Sequence, residues 1–164
     1  MEYIPFYTRF PELAVRETRY MTGMNSASLP DDEYSLIEMY CNRADCDCRR
    51  VMFSIYASNN PDKLLAVVNY GWESDQFYAD WYGEHNLKAI RAMQGPNLNI
   101  GSPQSPLAPA LLKLIKKVLK DEVYLTRIKE HYQMFKAATN NAQFNPKQRG
   151  KTGKRTRPLF TRKR

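Results

Sequence analysis

The sequence lacks the long apolar runs and the leader segment that membrane and secreted proteins carry. No stretch approaches the roughly 18 apolar residues that a membrane-spanning helix needs. Residues 1–5 (MEYIP) do not begin the succession of a basic and then an apolar region that marks a secretory signal. We therefore expect a cytoplasmic protein that has no membrane partner.

Cysteine and histidine are scarce, and several catalytic motifs are missing. The chain has three cysteines and two histidines. An odd number of cysteines without a secretory signal argues against a disulfide framework and for a reducing compartment. The sequence also has no glycine-rich phosphate loop, no His-Glu-x-x-His and no Gly-x-Ser-x-Gly. The enzyme classes that these motifs define are therefore excluded.

The remaining composition is that of one globular domain with an appendage. Of the 164 residues, 43% are hydrophobic and 12% aromatic, which excludes wholesale disorder. The first half contains β-prone runs at 14–24, 34–41, 50–57 and 64–72. Links this short predict an antiparallel sheet. Caps and apolar residues at helical spacing predict helices over 74–82, 105–120 and 121–138. The predicted fold is α+β, with a small antiparallel sheet packed by C-terminal helices in two layers.

The net charge of +8 comes from the C-terminal end of the chain. The last 18 residues hold nine Lys and Arg and no acid, whereas residues 1–146 hold 16 basic and 17 acidic residues. The nine are Lys147, Arg149, Lys151, Lys154, Arg155, Arg157, Arg162, Lys163 and Arg164. We therefore divide the chain into a domain over 1–140 and a basic tail over 141–164.

A segment of this charge density binds polyanions, because it releases counterions from them. RNA or DNA is favoured over a membrane, since Leu159 and Phe160 are too small an apolar anchor for stable insertion. The alternative is a tail that keeps the protein soluble and attracts polyanions without specificity.

The three cysteines lie within eight residues, in the polar segment 41–48 (CNRADCDC). If Cys41 ends one strand and Cys48 begins the next, the hairpin between them brings three thiolates toward one point. Zinc–sulfur bonds of about 2.3 Å require sulfurs about 4 Å apart. Polar neighbours argue against a packing role, which buried cysteine commonly has. We predict structural zinc rather than an iron–sulfur cluster, for which four cysteines are usual.

Structural zinc takes four ligands, and the cysteines supply three. His131 falls on the apolar face of the last predicted helix, which should pack on the sheet that carries the cysteines. His85, in a polar segment, the local acids Asp45 and Asp47, and water stay as alternatives. The favoured ligand set is Cys41, Cys46, Cys48 and His131.

Thiol chemistry is the main alternative to a metal. Cys46 and Cys48 could form a disulfide, and Arg49 and Arg50 would lower the pKa of a neighbouring thiol and raise its reactivity. A copper(I) thiolate site is a further alternative. Catalytic zinc is disfavoured, because three thiolates donate so much charge that the metal becomes a poor Lewis acid.

Residues 38–41 (EMYC) and 46–51 (CDCRRV) resemble the core of a family of small, uncharacterised bacterial proteins. Gly95-Pro96, the 106–120 helix and His131-Tyr132…Lys136 are similar to the rest of that pattern, so the likeness spans about residues 15–138. Some members end in a SEC-C motif, a cysteine-rich zinc element near a basic terminus. The tail of this chain has the basic character but no cysteine. The resemblance implies a cytoplasmic metal-binding domain and supplies no activity.

The cysteines and the tail combine into one functional hypothesis. We expect a non-enzymatic, zinc-stabilised binding module whose basic tail engages nucleic acid or a ribonucleoprotein. The alternative is a thiol-based redox protein or a metal-dependent enzyme that uses Cys46 and Cys48. A protein partner is left open by the sequence.

Overall fold

A computed structural model of the chain describes residues 2–144. The strands in this part are β1 Tyr3–Pro5, β2 Arg19–Thr22, β3 Glu33–Cys41, β4 Arg50–Ala57, β5 Asn60–Gly71 and β6 Asn97–Leu98. The helices are α1 Pro11–Glu17, α2 Asp75–Tyr82, α3 Leu87–Gln94, α4 Ala108–Val118 and α5 Glu122–Phe144. The domain boundary predicted at residue 140 falls within α5. The nine cations of the predicted tail lie outside the described residues.

The six strands form one antiparallel sheet in the order β1-β3-β4-β5-β6, and β2 also pairs with β3. β1 and β2 share one edge of β3, where they pair with residues 39–41 and 33–36 respectively. The β3–β4 and β4–β5 pairs are hairpins between consecutive strands. Helices α4 and α5 pack against this sheet, so the predicted two-layer α+β fold is confirmed.

Side chains that alternate along the central strands form the core beneath the helices. Leu36 of β3 and Phe53 of β4 are fully buried, as are Leu111 of α4 and Ile128 of α5. Burying a side chain of this size contributes about 1.5–3 kcal/mol each. The opposite face of the same strands carries a different set of residues and has no helix from α4 or α5 on it.

Two helix starts and one helix end are set by the residues that the sequence predicts for them. The Ser74 hydroxyl accepts a hydrogen bond from the Phe77 amide at 3.2 Å, and Gly83 ends α2 with a φ of 69°. The Asp121 carboxylate accepts bonds from the amides of Val123 and Tyr124 at 3.0 and 3.3 Å. These caps satisfy amides that a helix start leaves without intrahelical partners.

Two segments differ from the sequence prediction. The strand predicted over 14–24 begins as the last turn of α1, and β2 occupies only Arg19–Thr22. Proline fits the first turn of a helix, where backbone amides have no intrahelical acceptor, so Pro11 favours the start of α1. Ala14, in the middle of this helix, is buried. The segment 84–104, which lies between the predicted helices 74–82 and 105–120, contains α3 and β6. Within residues 2–144, no helix is both long and apolar enough to cross a membrane.

The Asp121 cap gives a test of what fixes α5. Asp121→Ala should lower the free energy of unfolding by about 1 kcal/mol, because two amides lose their acceptor. Asp121→Asn retains a capping oxygen and should recover most of that loss. Urea unfolding measures both, with Glu130→Ala, at an exposed position of α5, as the control. Equal losses in the Ala and Asn variants would contradict a capping role.

Candidate metal centre

The three cysteines lie where β3 ends and the loop to β4 begins. Cys41 is the last residue of β3, and Cys46 and Cys48 belong to the loop that precedes Arg50. Cys41 and Cys48 are fully buried, and Cys46 is 8% exposed. All three are free thiols. The hairpin predicted from the sequence therefore brings the cysteines together.

The three Sγ atoms lie within 4.8 Å of one another. Tetrahedral zinc with bonds of about 2.3 Å separates its sulfur ligands by about 3.8 Å. Small side-chain rotations bring the sulfurs from the observed spacing to that distance. The three cysteines are thus close enough together to hold a metal ion.

Ion pairs between neighbouring loop residues shape the turn that carries the cysteines. The Arg43 guanidinium contacts the Asp45 carboxylate at 3.0 Å, and that of Arg49 contacts Asp47 at 2.9 Å. The four charged side chains point outward while the cysteines between them point inward. This alternation explains why the cluster is buried within a segment that reads as polar.

Arg49 closes the loop in a left-handed backbone conformation, with a φ of 45°. Non-glycine residues rarely adopt this conformation, so it persists only where the surroundings hold it. The Arg49 amide donates to the Tyr132 hydroxyl at 3.2 Å, and its carbonyl accepts from the Tyr78 hydroxyl at 2.8 Å. Two tyrosines from two different helices therefore hold the backbone next to Cys48.

Helix α5 supplies a cation as well as a tyrosine to the loop. The Lys136 ammonium donates to the Arg43 carbonyl and is 8% exposed. Its charge also acts on Cys41 and Cys46, whose thiolate forms it favours. Three thiolates on a divalent ion leave one net negative charge, which Lys136 offsets. Tyr132 and Lys136 were not predicted as site residues; their spacing of four on one helix was the available signal.

The three thiols act on one another, so that the pKa of Cys41 is lowered while those of Cys46 and Cys48 are raised. Hydrogen bonding by the Cys48 thiol is the main cause that lowers the pKa of Cys41 to about 5, against an opposing effect of burial. Burial and the charge of Cys41 raise the pKa of Cys46. The hydrogen bond to Cys41, followed by burial, raises the pKa of Cys48. A bound metal must displace the protons of the latter two, so its affinity falls as the pH is lowered.

The structure does not bring His131 to the cysteines. Its Nδ1 lies 2.7 Å from Glu38 Oε2, and its Nε2 lies 2.8 Å from Glu17 Oε2. Both ring nitrogens are engaged, so neither is available to a metal. The sequence placed His131 correctly on the buried face of α5, but it did not reveal that carboxylates on α1 and β3 occupy the ring. The expectation that His131 completes the site has no support in this geometry.

The other candidate ligands lie outside the cluster too. Within residues 2–144, the group of metal-ligating atoms within 4.8 Å of one another consists of the three cysteines. His85 is exposed beyond the end of α2. The side chains of Asp45 and Asp47 are 74% and 61% exposed and are paired with arginines. The described residues therefore supply three ligands for a metal ion.

Comparisons of the chain with protein-family models, with curated proteins and with solved structures found no match.

The contacts of His131 with Glu38 and Glu17 predict how the stability of the protein depends on pH. Burial lowers the pKa of His131, but hydrogen bonds and charge from Glu38 and then Glu17 outweigh it, so the pKa is raised. Tyr40, Tyr124 and Arg127 also bond to these carboxylates. The imidazolium's contribution to stability is fully present below the unfolded-state pKa of 6.5 and is lost as the pH rises through the folded-state pKa.

His131→Gln should lower the free energy of unfolding by about 3–5 kcal/mol at pH 6, because it leaves buried Glu38 without its cationic partner. The difference from wild type should shrink between pH 6 and pH 9. Urea unfolding at both pH values measures it, with His85→Gln as the exposed control, expected within about 0.5 kcal/mol of wild type. A difference that grew with pH would show that the ring is neutral in the folded state.

Proposed function

We propose that this protein is a zinc-stabilised, non-enzymatic binding module whose basic C-terminal tail engages RNA or DNA. The proposal has two independent parts, one for the cysteine cluster and one for the tail. The observation that carries it is the convergence of Cys41, Cys46 and Cys48 to within 4.8 Å at a buried hairpin end.

Zinc suits this cluster better than the other metals considered. Thiolates are good zinc ligands, and the sulfurs need little rearrangement to reach tetrahedral spacing. The buried Lys136 ammonium compensates the negative charge that a zinc tris-thiolate carries. We infer that water takes the fourth position, since both nitrogens of His131 are bonded elsewhere. A water-occupied position is usual for catalytic zinc, but three thiolates make the metal a weak Lewis acid and the cluster is buried, which together support a structural role.

Nucleic-acid binding is assigned to the tail because of the distribution of charge. Residues 1–146 carry as many acids as bases to within one residue, while residues 147–164 carry nine cations and no acid. Such a segment neutralises phosphates and gains affinity from counterion release.

Elemental analysis tests the zinc site. We expect one zinc per chain in the purified full-length protein, and less than half of that in Cys48→Ser. His131→Gln should keep its zinc, because the proposed ligand set does not include it. Removal of zinc with a chelator should lower the midpoint of thermal unfolding, since metal that binds only the folded state stabilises it.

A wild-type protein that takes up no zinc when titrated with it would contradict the metal site and favour thiol chemistry at the same cysteines. The observation that supports this second candidate function is the proximity of three free thiols, among which hydrogen bonding by Cys48 lowers the pKa of Cys41. In that case one thiol should be alkylated rapidly at pH 7, and added zinc should leave the rate unchanged. Protection by zinc would support the metal centre instead.

Salt dependence tests the tail in the full-length protein. The affinity for a single-stranded RNA should fall as salt rises, with a log–log slope that reaches about −6 if all nine cations contact phosphates. Replacing the nine by Gln should reduce the affinity at least tenfold and bring the slope close to zero. The control carries Leu159→Ser and Phe160→Ser, which retain every charge. Unchanged affinity in the Gln variant would remove the tail from the proposal without affecting the zinc site.

A further inference from the structure

The sheet has a second face, opposite α4 and α5, that forms the floor of a groove. The floor comes from side chains that alternate with the core set along three strands. They are Ile37 and Met39 of β3, Met52 and Ser54 of β4, and Val67 of β5. The proposed zinc and nucleic-acid functions use none of these residues.

Walls on both edges of the sheet turn this face into a cavity of about 470 Å³. One wall contains Pro5, the last residue of β1, and Tyr7, which comes soon after it, and the other contains Pro103, before α4. Hydrogen bonds fix the second wall, because the Gln104 side chain binds both the amide and the carbonyl of Val67, at 3.1 and 3.0 Å. The volume falls within the range of about 300–1,000 Å³ that is usual for small-molecule sites.

The groove floor presents an apolar surface despite its serines. The Ser35 hydroxyl donates to the Tyr56 carbonyl at 3.4 Å, and that of Ser54 to the Met39 sulfur at 2.8 Å. Both hydroxyl protons are therefore donated to acceptors within the protein. The flexible Met39 and Met52 side chains can adapt to the shape of a ligand.

Charge disfavours an anionic ligand. Among the described residues that line the groove, Asp62 alone is charged, and it belongs to the β5 end near the hairpin. An anion would therefore meet no cation, and burying a charge without a partner is costly. The Tyr56 hydroxyl is a polar group suited to one hydrogen bond, because a tyrosine hydroxyl is protonated at neutral pH. Burial and then Tyr7 raise its pKa further.

The depth of the floor favours a small molecule over a protein surface. Ile37, Ser54 and Val67 are only 6–7% exposed, so they lie recessed below the rim. A flat protein partner would contact the rim and leave this floor uncovered, whereas a compact ligand reaches it. We propose that the groove between β1 and the α4-preceding loop binds an uncharged, largely apolar small molecule of the size of two or three fused or linked rings.

Two dyes that differ by one charge test this assignment. N-phenyl-1-naphthylamine is uncharged, and 1-anilinonaphthalene-8-sulfonate has the same ring system with an added sulfonate. Fluorescence titration of the full-length protein should show saturable binding of one uncharged dye per chain. The sulfonate should bind at least tenfold more weakly, because no cation lines the groove. Equal or tighter binding of the sulfonate would overturn the proposal.

Matched variants locate the bound dye. Met52→Lys places a charge in the floor and should weaken the uncharged dye at least tenfold. The control is Met24→Lys, at a methionine that is 68% exposed and does not line the groove. Tyr56→Phe retains the ring and should weaken a ligand that accepts its hydrogen bond, by about three- to tenfold. Naphthol ethers supply such an acceptor, so 2-methoxynaphthalene is the competitor used with this variant.

Loss of dye binding in Met52→Lys, with Met24→Lys unaffected, supports the groove. Equal affinities of wild type and a folded Met52→Lys for the uncharged dye would overturn it. If Met52→Lys does not fold, unchanged competition by 2-methoxynaphthalene in Tyr56→Phe would overturn it. Sedimentation equilibrium tests whether a second copy of the chain occupies the groove instead. A wild-type dimer that Met52→Lys or Tyr56→Phe converts to monomer would assign the groove to a second copy of the chain and overturn the small-molecule proposal.

Discussion

The carboxylate of Glu38 lies inside the helix-covered face of the sheet, where β3 otherwise contributes Leu36 and aromatic side chains to the core. Taking an anion out of water costs several kcal/mol unless it is paired and fully hydrogen-bonded. Its Oε2 contacts His131 Nδ1 at 2.7 Å and accepts from the Tyr40 hydroxyl at 2.8 Å, and its Oε1 accepts from Tyr124 at 3.5 Å. Because His131 and Tyr124 both belong to α5, this carboxylate fixes how α5 is rotated on the sheet.

That rotation determines what α5 presents to the cysteine loop. Tyr132 follows His131 directly, and Lys136 comes one turn later on the same side of the helix. The Tyr132 hydroxyl contacts both the Arg49 amide and the Asp47 carboxylate, and the Lys136 ammonium holds the Arg43 carbonyl. The support of the candidate metal centre and the pairing of Glu38 are therefore two consequences of one helix orientation. A helix turned by one residue would lose both sets of contacts.

Local patterns predict the parts of this structure whose causes are local. Alternation along 34–41 and 50–57, and the caps Ser74 and Asp121, give elements that the structure confirms. The proximity of the cysteines follows from eight residues at a hairpin end. The strand predicted over 14–24 is wrong at its N-terminal end, because the helix that begins at Pro11 continues through Val15 to Glu17 despite the β propensity of Val15.

What local patterns miss is pairing between distant segments. His131 contacts Glu38 and Glu17, which precede it by 93 and 114 residues. A histidine on an apolar helix face gives no sign of such partners. The sequence alone therefore predicts His131 as the fourth zinc ligand. The groove is hidden for a similar reason, because its walls come from β1 and from the loop before α4, which are far apart in the sequence. Only the assembled sheet brings them within reach of one ligand.

The same carboxylate also explains why the second sheet face is apolar. Side chains alternate along a strand, so Glu38 faces the helices while its neighbours Ile37 and Met39 face the groove. A shift of β3 by one residue would exchange the two sets, placing the carboxylate in the groove and Ile37 under α5. Loss of the bonds to His131 and Tyr124 opposes that shift. The buried carboxylate thus favours the observed register of β3. In that register Glu38 lies beneath the helices that supply its partners, and the centre of the groove carries no charge.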